Sequence, residues 1–203
     1  MRLKSSEIIL IIVNFIPIAG IAFFGWKVFD LFFLYWLEST ILGFFGIIKM
    51  ILIGIHHGDK WKYGLFFTVP FFLIHYSGFM LAHLIFVVIV FNGQGSSLSL
   101  SYREIGVILK ETFTTTLIAF IFMFASHTLS FGKNFLKKRE YLNITPRQYM
   151  PMPYGRIVVM HLSVFLAFFA SLFLKIPALA PILIIGAKIV TDLRAHRREH
   201  VGL

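Results

Sequence analysis

The chain has 203 residues, of which 58% are hydrophobic and only 14% charged, with 25 phenylalanines and a mean hydropathy of +0.85. Such a composition lies far from that of a soluble domain and predicts a polytopic membrane protein. Cysteine is absent, which excludes disulfides, thiolate metal sites, CxxC redox motifs and thiol nucleophiles. The net charge of +10 is read as loop charge that sets topology. It is not read as nucleic-acid binding, because no compact basic recognition module is visible.

Six spans of near-membrane length are expected, over residues 6–26, 29–55, 64–92, 106–131, 154–174 and 177–197, in a single integral membrane domain covering 1–203. The first begins within MRLKSSEIIL, a basic start whose apolar run continues through IIVNFIPIAGIAFFGW with no small-residue cleavage site, and is read as an uncleaved span. A tight turn near Lys27–Asp30 leads into the second, which carries Glu38 in YWLES about 12 Å below its outer end. Ser39, Gly43 and Gly46 beside it read as a helix-packing face. The third span holds HYSGFMLAH, with His75 near mid-membrane and His83 at the depth of Glu38. Gly78 and Ala82 lie on the His75 side, so that face is expected to point into the bundle.

A polar Gly/Ser-rich connector, NGQGSSLSLSYRE, separates the third and fourth spans. The fourth places His127 towards its inner end, with Thr116, Met123 and Ser130 on roughly the same face. A basic loop with three prolines follows, and Pro151 and Pro153 suit the approach to the fifth helix. There His161 lies two turns in and shares a face with Tyr154 at i−7, while Arg156 is rotated away by about 140° and sits nearer the interface. In the sixth, Lys188, Asp192 and His196 make one polar stripe at i, i+4 and i+8.

Lysine and arginine in the short loops set the orientation. With the N-terminus inside, that side collects Arg2, Lys4, Lys60, Lys62, Lys133, Lys137, Lys138, Arg139, Arg147, Arg194, Arg197 and Arg198, against Lys27, Arg103, Lys110 and Lys175 on the other. Both termini are therefore expected in the cytoplasm. The lipid bilayer is the expected partner, and nothing in the sequence excludes a homo-oligomer.

An uncompensated carboxylate or imidazole at depth is costly. Each of these groups also has a bland reading: Lys188 and Asp192 neutralise each other, Arg156 snorkels to headgroups, and Glu38 stays protonated on a neighbouring helix. The sharper reading is an intramembrane site for a divalent transition metal, zinc or iron, with His75, His83, Glu38, His127 and His161 as ligands. Asp192, His196, Lys188, Arg156 and Tyr154 form a second tier. His75, His83 and Glu38 make the most economical set, and His127 and His161 with Asp192 a separate inner one. About 12 Å separates His75 from His83 along a helix, so one metal can hardly hold both. HExxH and GxSxG signatures are absent. No catalytic residue is assigned. Metal-dependent action on a lipidic or small substrate, a proton- or cation-coupled path, and a haem or quinone redox protein all remain open.

The ordered segments YWLES, HYSGFMLAH, SHTLSFGKNF, PYGRIVVMH and KIVTDLRAH resemble a family of prokaryotic integral membrane proteins of unknown function, over nearly the whole chain. The resemblance implies a multi-pass protein of the inner (cytoplasmic) membrane. It brings no activity, substrate or cofactor, so no functional residue is carried over from it.

Overall fold

The computed structural model describes residues 19–92, 101–174 and 186, and among them there are helices and no strand. Helix α1 runs Val28–His56, α2 Asp59–Asn92, α3 Tyr102–Ser130, α4 Pro146–Tyr149 and α5 Tyr154–Leu174. The expected spans at 29–55, 64–92, 106–131 and 154–174 correspond to α1, α2, α3 and α5. Of the span at 6–26 only residues 19–26 are described, helical over 19–23, and of that at 177–197 only residue 186; Lys188, Asp192 and His196 lie outside the described residues. Among the described residues three helices are long and apolar enough to cross a membrane, at 29, 26 and 36 residues over Val28–His56, Gly64–Ile89 and Tyr102–Lys137. A bilayer core needs about 20. Their outward faces carry bare apolar side chains such as Phe66, Phe67, Ile74, Ile118 and Phe122, which water would not tolerate in such number and lipid does.

Local chemistry places the starts of α1, α3 and α4. Gly25 takes φ +67°, open to glycine without strain, and Lys27 follows in extended backbone with its N–H donated to Asp30 Oδ2 at 2.8 Å. That buried carboxylate occupies the first turn, where the helix dipole favours it. At α3 Ser101 caps the helix and Glu104 reaches back to the Ser101 N–H at 2.7 Å, a reciprocal capping box. The helix therefore begins four residues before the span expected from hydropathy. Thr145 and Gln148 repeat the device at α4, with Pro146 in the first turn.

Between α1 and α2 the chain reverses within two residues, through Gly58 at φ +78°. Pro70 lies inside α2, tolerated where neighbouring helices re-satisfy the freed carbonyl. Beyond Ser130, α3 widens into a π-helical stretch over Phe131–Lys137.

α1 is the hub, packing against α2, α3, α4 and α5. Its antiparallel seam with α2 buries Leu31, Phe32, Tyr35 and Met50 against Phe72, Tyr76, Met80 and Val87. The expected packing face of α1 does this work. A Cβ on Gly43 would collide with the Tyr76 ring, and the Tyr76 hydroxyl donates to the Ser39 carbonyl at 2.7 Å. The Trp36 indole N–H donates across the same seam to the Met80 carbonyl at 2.7 Å. On α2 the expectation that the Gly78 and Ala82 face points into the bundle is not met among the described residues. Both are exposed and Gly78 has open space around it. The buried face is Phe72, Tyr76, Met80, His83 and Val87, because ring and thioether area is worth more against α1 than two small residues are.

Candidate intramembrane histidine site

Side chains from α1, α2, α3 and α5 form three polar pairs, one between α1 and α3 and two between α2 and α5. The first joins α2 to α5, where His83 Nδ1 lies 3.3 Å from His161 Nε2 and the ring centroids are 4.2 Å apart. His161 Nδ1 lies 3.1 Å from the Ile157 carbonyl one turn back in its own helix. A carbonyl only accepts, so that nitrogen carries the proton. In a neutral imidazole Nε2 of His161 is then the acceptor, and His83 must donate from Nδ1. The chain of donation runs His83 to His161 to Ile157. It leaves His83 Nε2 as a bare lone pair.

That lone pair is the unusual feature. His83 is only 2% exposed, and its Nε2 is buried with no hydrogen-bond partner among the described residues. Leaving a buried polar atom unmade costs about 1–3 kcal/mol. Aromatic rings flank the pair, with Phe79 and Phe165 against His161 at 4.9 and 6.5 Å between centroids.

The second pair joins α1 to α3. His127 Nε2 lies 3.9 Å from Glu38 Oε1, with the side chains 24% and 14% exposed. At that distance the contact is an ion pair if the imidazole is protonated and falls short of a good hydrogen bond. The third again joins α2 to α5: His75 Nδ1 lies 3.0 Å from the Tyr154 hydroxyl. The His75 ring continues a ladder of aromatic rings along α2, 5.3 Å from Phe71 and 6.0 Å from Phe79.

The sequence-level grouping is thus redrawn. Glu38 was expected with His75 and His83, and His127 with His161; Glu38 instead meets His127, and His161 meets His83. Hydropathy gives depth but not which faces of two helices meet, and depth alone had put Glu38 beside His83. Tyr154 and His161 do share a face of α5, and both turn to α2. Arg156 lies in α5, and Asp192, His196 and Lys188 lie outside the described residues. Among the described residues no three His, Asp or Glu side chains gather into one metal-ligand group; they gather in pairs.

Two features were not anticipated. The Ile157 carbonyl fixes the His161 tautomer, and its signal is local: a histidine four residues after any helical residue can bond that carbonyl. The other is the order imposed on the basic loop after α3. There His57 Nε2 donates to the Ile144 carbonyl at 3.0 Å, and the His56 ring packs edge-on against Tyr141 at 5.1 Å.

The chain belongs to DUF6498, a family of unknown function, whose model matches residues 1–202. No curated protein and no solved structure matches it.

Proposed function

We propose that this is a multi-pass protein of the prokaryotic cytoplasmic membrane, with six spans and both termini inside, whose intramembrane His/Glu groups bind a divalent transition metal, zinc or iron, and act on a lipidic or small-molecule substrate. The observation that carries the metal reading is the buried His83 Nε2 lone pair. A neutral imidazole whose other nitrogen donates to a fixed acceptor is how a metal-binding histidine is held, and His161 backed by Ile157 supplies that acceptor. His83 is then the ligand from this pair and His161 the residue that positions it. Glu38 and His127 are the next donors, and Tyr154 with His75 pairs the same two helices, α5 and α2. A full coordination sphere needs donors beyond any one pair. A bound metal would lend an electrophile or a low-pKa water to the reaction.

The test is elemental analysis of protein purified in detergent without a histidine tag. The reading predicts near-stoichiometric metal in the wild type and its loss in His83→Ala. A wild type that neither contains a transition metal nor takes one up on titration removes it.

The Glu38–His127 contact favours a second reading, a proton- or cation-coupled path. A carboxylate and an imidazole in partly accessible contact can pass a proton, and ionisable residues at membrane depth often mark such paths. A proteoliposome flux that disappears in Glu38→Gln, from metal-free protein, would select it. Bis-histidine ligation of a haem by His83 and His161 has less support, because those rings bond to each other.

A further inference from the structure

The basic stretch between α3 and α5 is an ordered surface, and its order calls for more than a topology signal. Lys133, Lys137, Lys138, Arg139 and Arg147 are all exposed, and so is Glu140, the one acidic residue among them. Interleaved with them, Leu136, Leu142 and Met152 are 43%, 40% and 56% exposed. The surface is pinned beneath. Phe135 is buried, and the Lys49 ammonium of α1 lies 5.2 Å from the Phe135 ring and 5.7 Å from that of Tyr149. Tyr149 meets it as a neutral phenol, since burial first and the Glu140 charge second push its pKa up to about 12. The His57–Ile144 bond ties the middle of the stretch to the residue that caps α1. At Arg139 the backbone turns through φ +55°, left-handed and unfavourable for a side chain of this size, and this turn ends the run Lys137, Lys138 and Arg139.

We propose that residues 131–152 form a docking platform for the phosphate headgroups of anionic lipids. Charge complementarity is the main argument: five cations against one anion, at the end of a helix long enough to cross the bilayer, sit where anionic headgroups lie. The exposed leucines and methionine reach the acyl boundary beneath the phosphates, and the long basic stems snorkel up to them. Because the loop is held against α1, its cations are placed before lipid arrives, which lowers the ordering cost of binding. The proposal rests on the helices crossing a bilayer and not on the histidine site.

Native mass spectrometry of the full chain in neutral detergent tests it, titrating phosphatidylglycerol against phosphatidylcholine. The expected result is tighter binding of phosphatidylglycerol, weakened by salt. Each basic residue near an anionic surface is worth up to about fivefold, so a variant with Lys133, Lys137, Lys138 and Arg139 all changed to Gln should lose up to about several hundredfold of that preference, and a loss below about fivefold would count as unchanged. Lys137→Gln with Lys138→Gln should lose part of it, and three Lys→Arg changes at 133, 137 and 138 should keep it. Inorganic phosphate should not displace the lipid. Equal binding of the two lipids, an unchanged preference in the glutamine variants, or displacement by inorganic phosphate overturns the proposal.

Discussion

A neutral imidazole has one proton to place, and its neighbours decide where. Ile157 decides for His161, His161 for His83, and the consequence surfaces one ring further on, at a nitrogen that faces no described partner. This order separates two residues that the sequence reading treated alike. If metal binds at His83 Nε2, His161→Phe keeps an aromatic ring in place but removes the acceptor. It should weaken metal affinity by about 10–100-fold without abolishing binding, whereas His83→Ala abolishes it; titration with a chelating indicator reads both. Equal loss in the two variants would make His161 a ligand. At the neighbouring seam Tyr76→Phe removes a buried hydroxyl that donates to Ser39. It should cost about 1 kcal/mol, read as a lower unfolding temperature in detergent with metal content intact.

Helix faces set which of these residues meet. Gly43 lets the Tyr76 ring lie against α1, and Gly43→Ala should destabilise by about 1–3 kcal/mol through overpacking. Thermal unfolding of the purified variant checks it, and an unchanged midpoint would mean that α1 and α2 are further apart than described. The small-residue face around Gly43 was legible in the sequence because close approach demands small residues whatever the partner. The capping box at Ser101 and Glu104 was equally open to reading, and hydropathy alone missed it by four residues because a cap is polar. The pairing of histidines was not legible. Glu38, His83, His127 and His161 each announce a cost of burial, but helical periodicity gives only the face of one helix. Which two faces meet depends on the ring and thioether area along Phe72, Tyr76 and Met80, and that sum is made only when the helices pack.

At the scale of the whole molecule, three of the described helices are able to cross a bilayer, and one of them, α1, is a hub with an aromatic buried face; polar pairs join α1 to α3 and α2 to α5. Composition and span length made this architecture readable, because a bilayer imposes them directly. Orientation rests on loop charge: reporter fusions after Arg139 should read as cytoplasmic and those in the connector between α2 and α3 as external, and the reverse assignment would invert the topology. The account as a whole turns on the state of one nitrogen. Histidine-selective ¹⁵N NMR of the protein in detergent, with single His→Gln changes to assign the signals, observes it directly. The account predicts His83 neutral and protonated at Nδ1 only, His161 protonated at Nδ1, and a perturbation on metal addition that begins at His83 Nε2. A His83 that carries its proton on Nε2, or a spectrum that metal leaves unchanged, would contradict it.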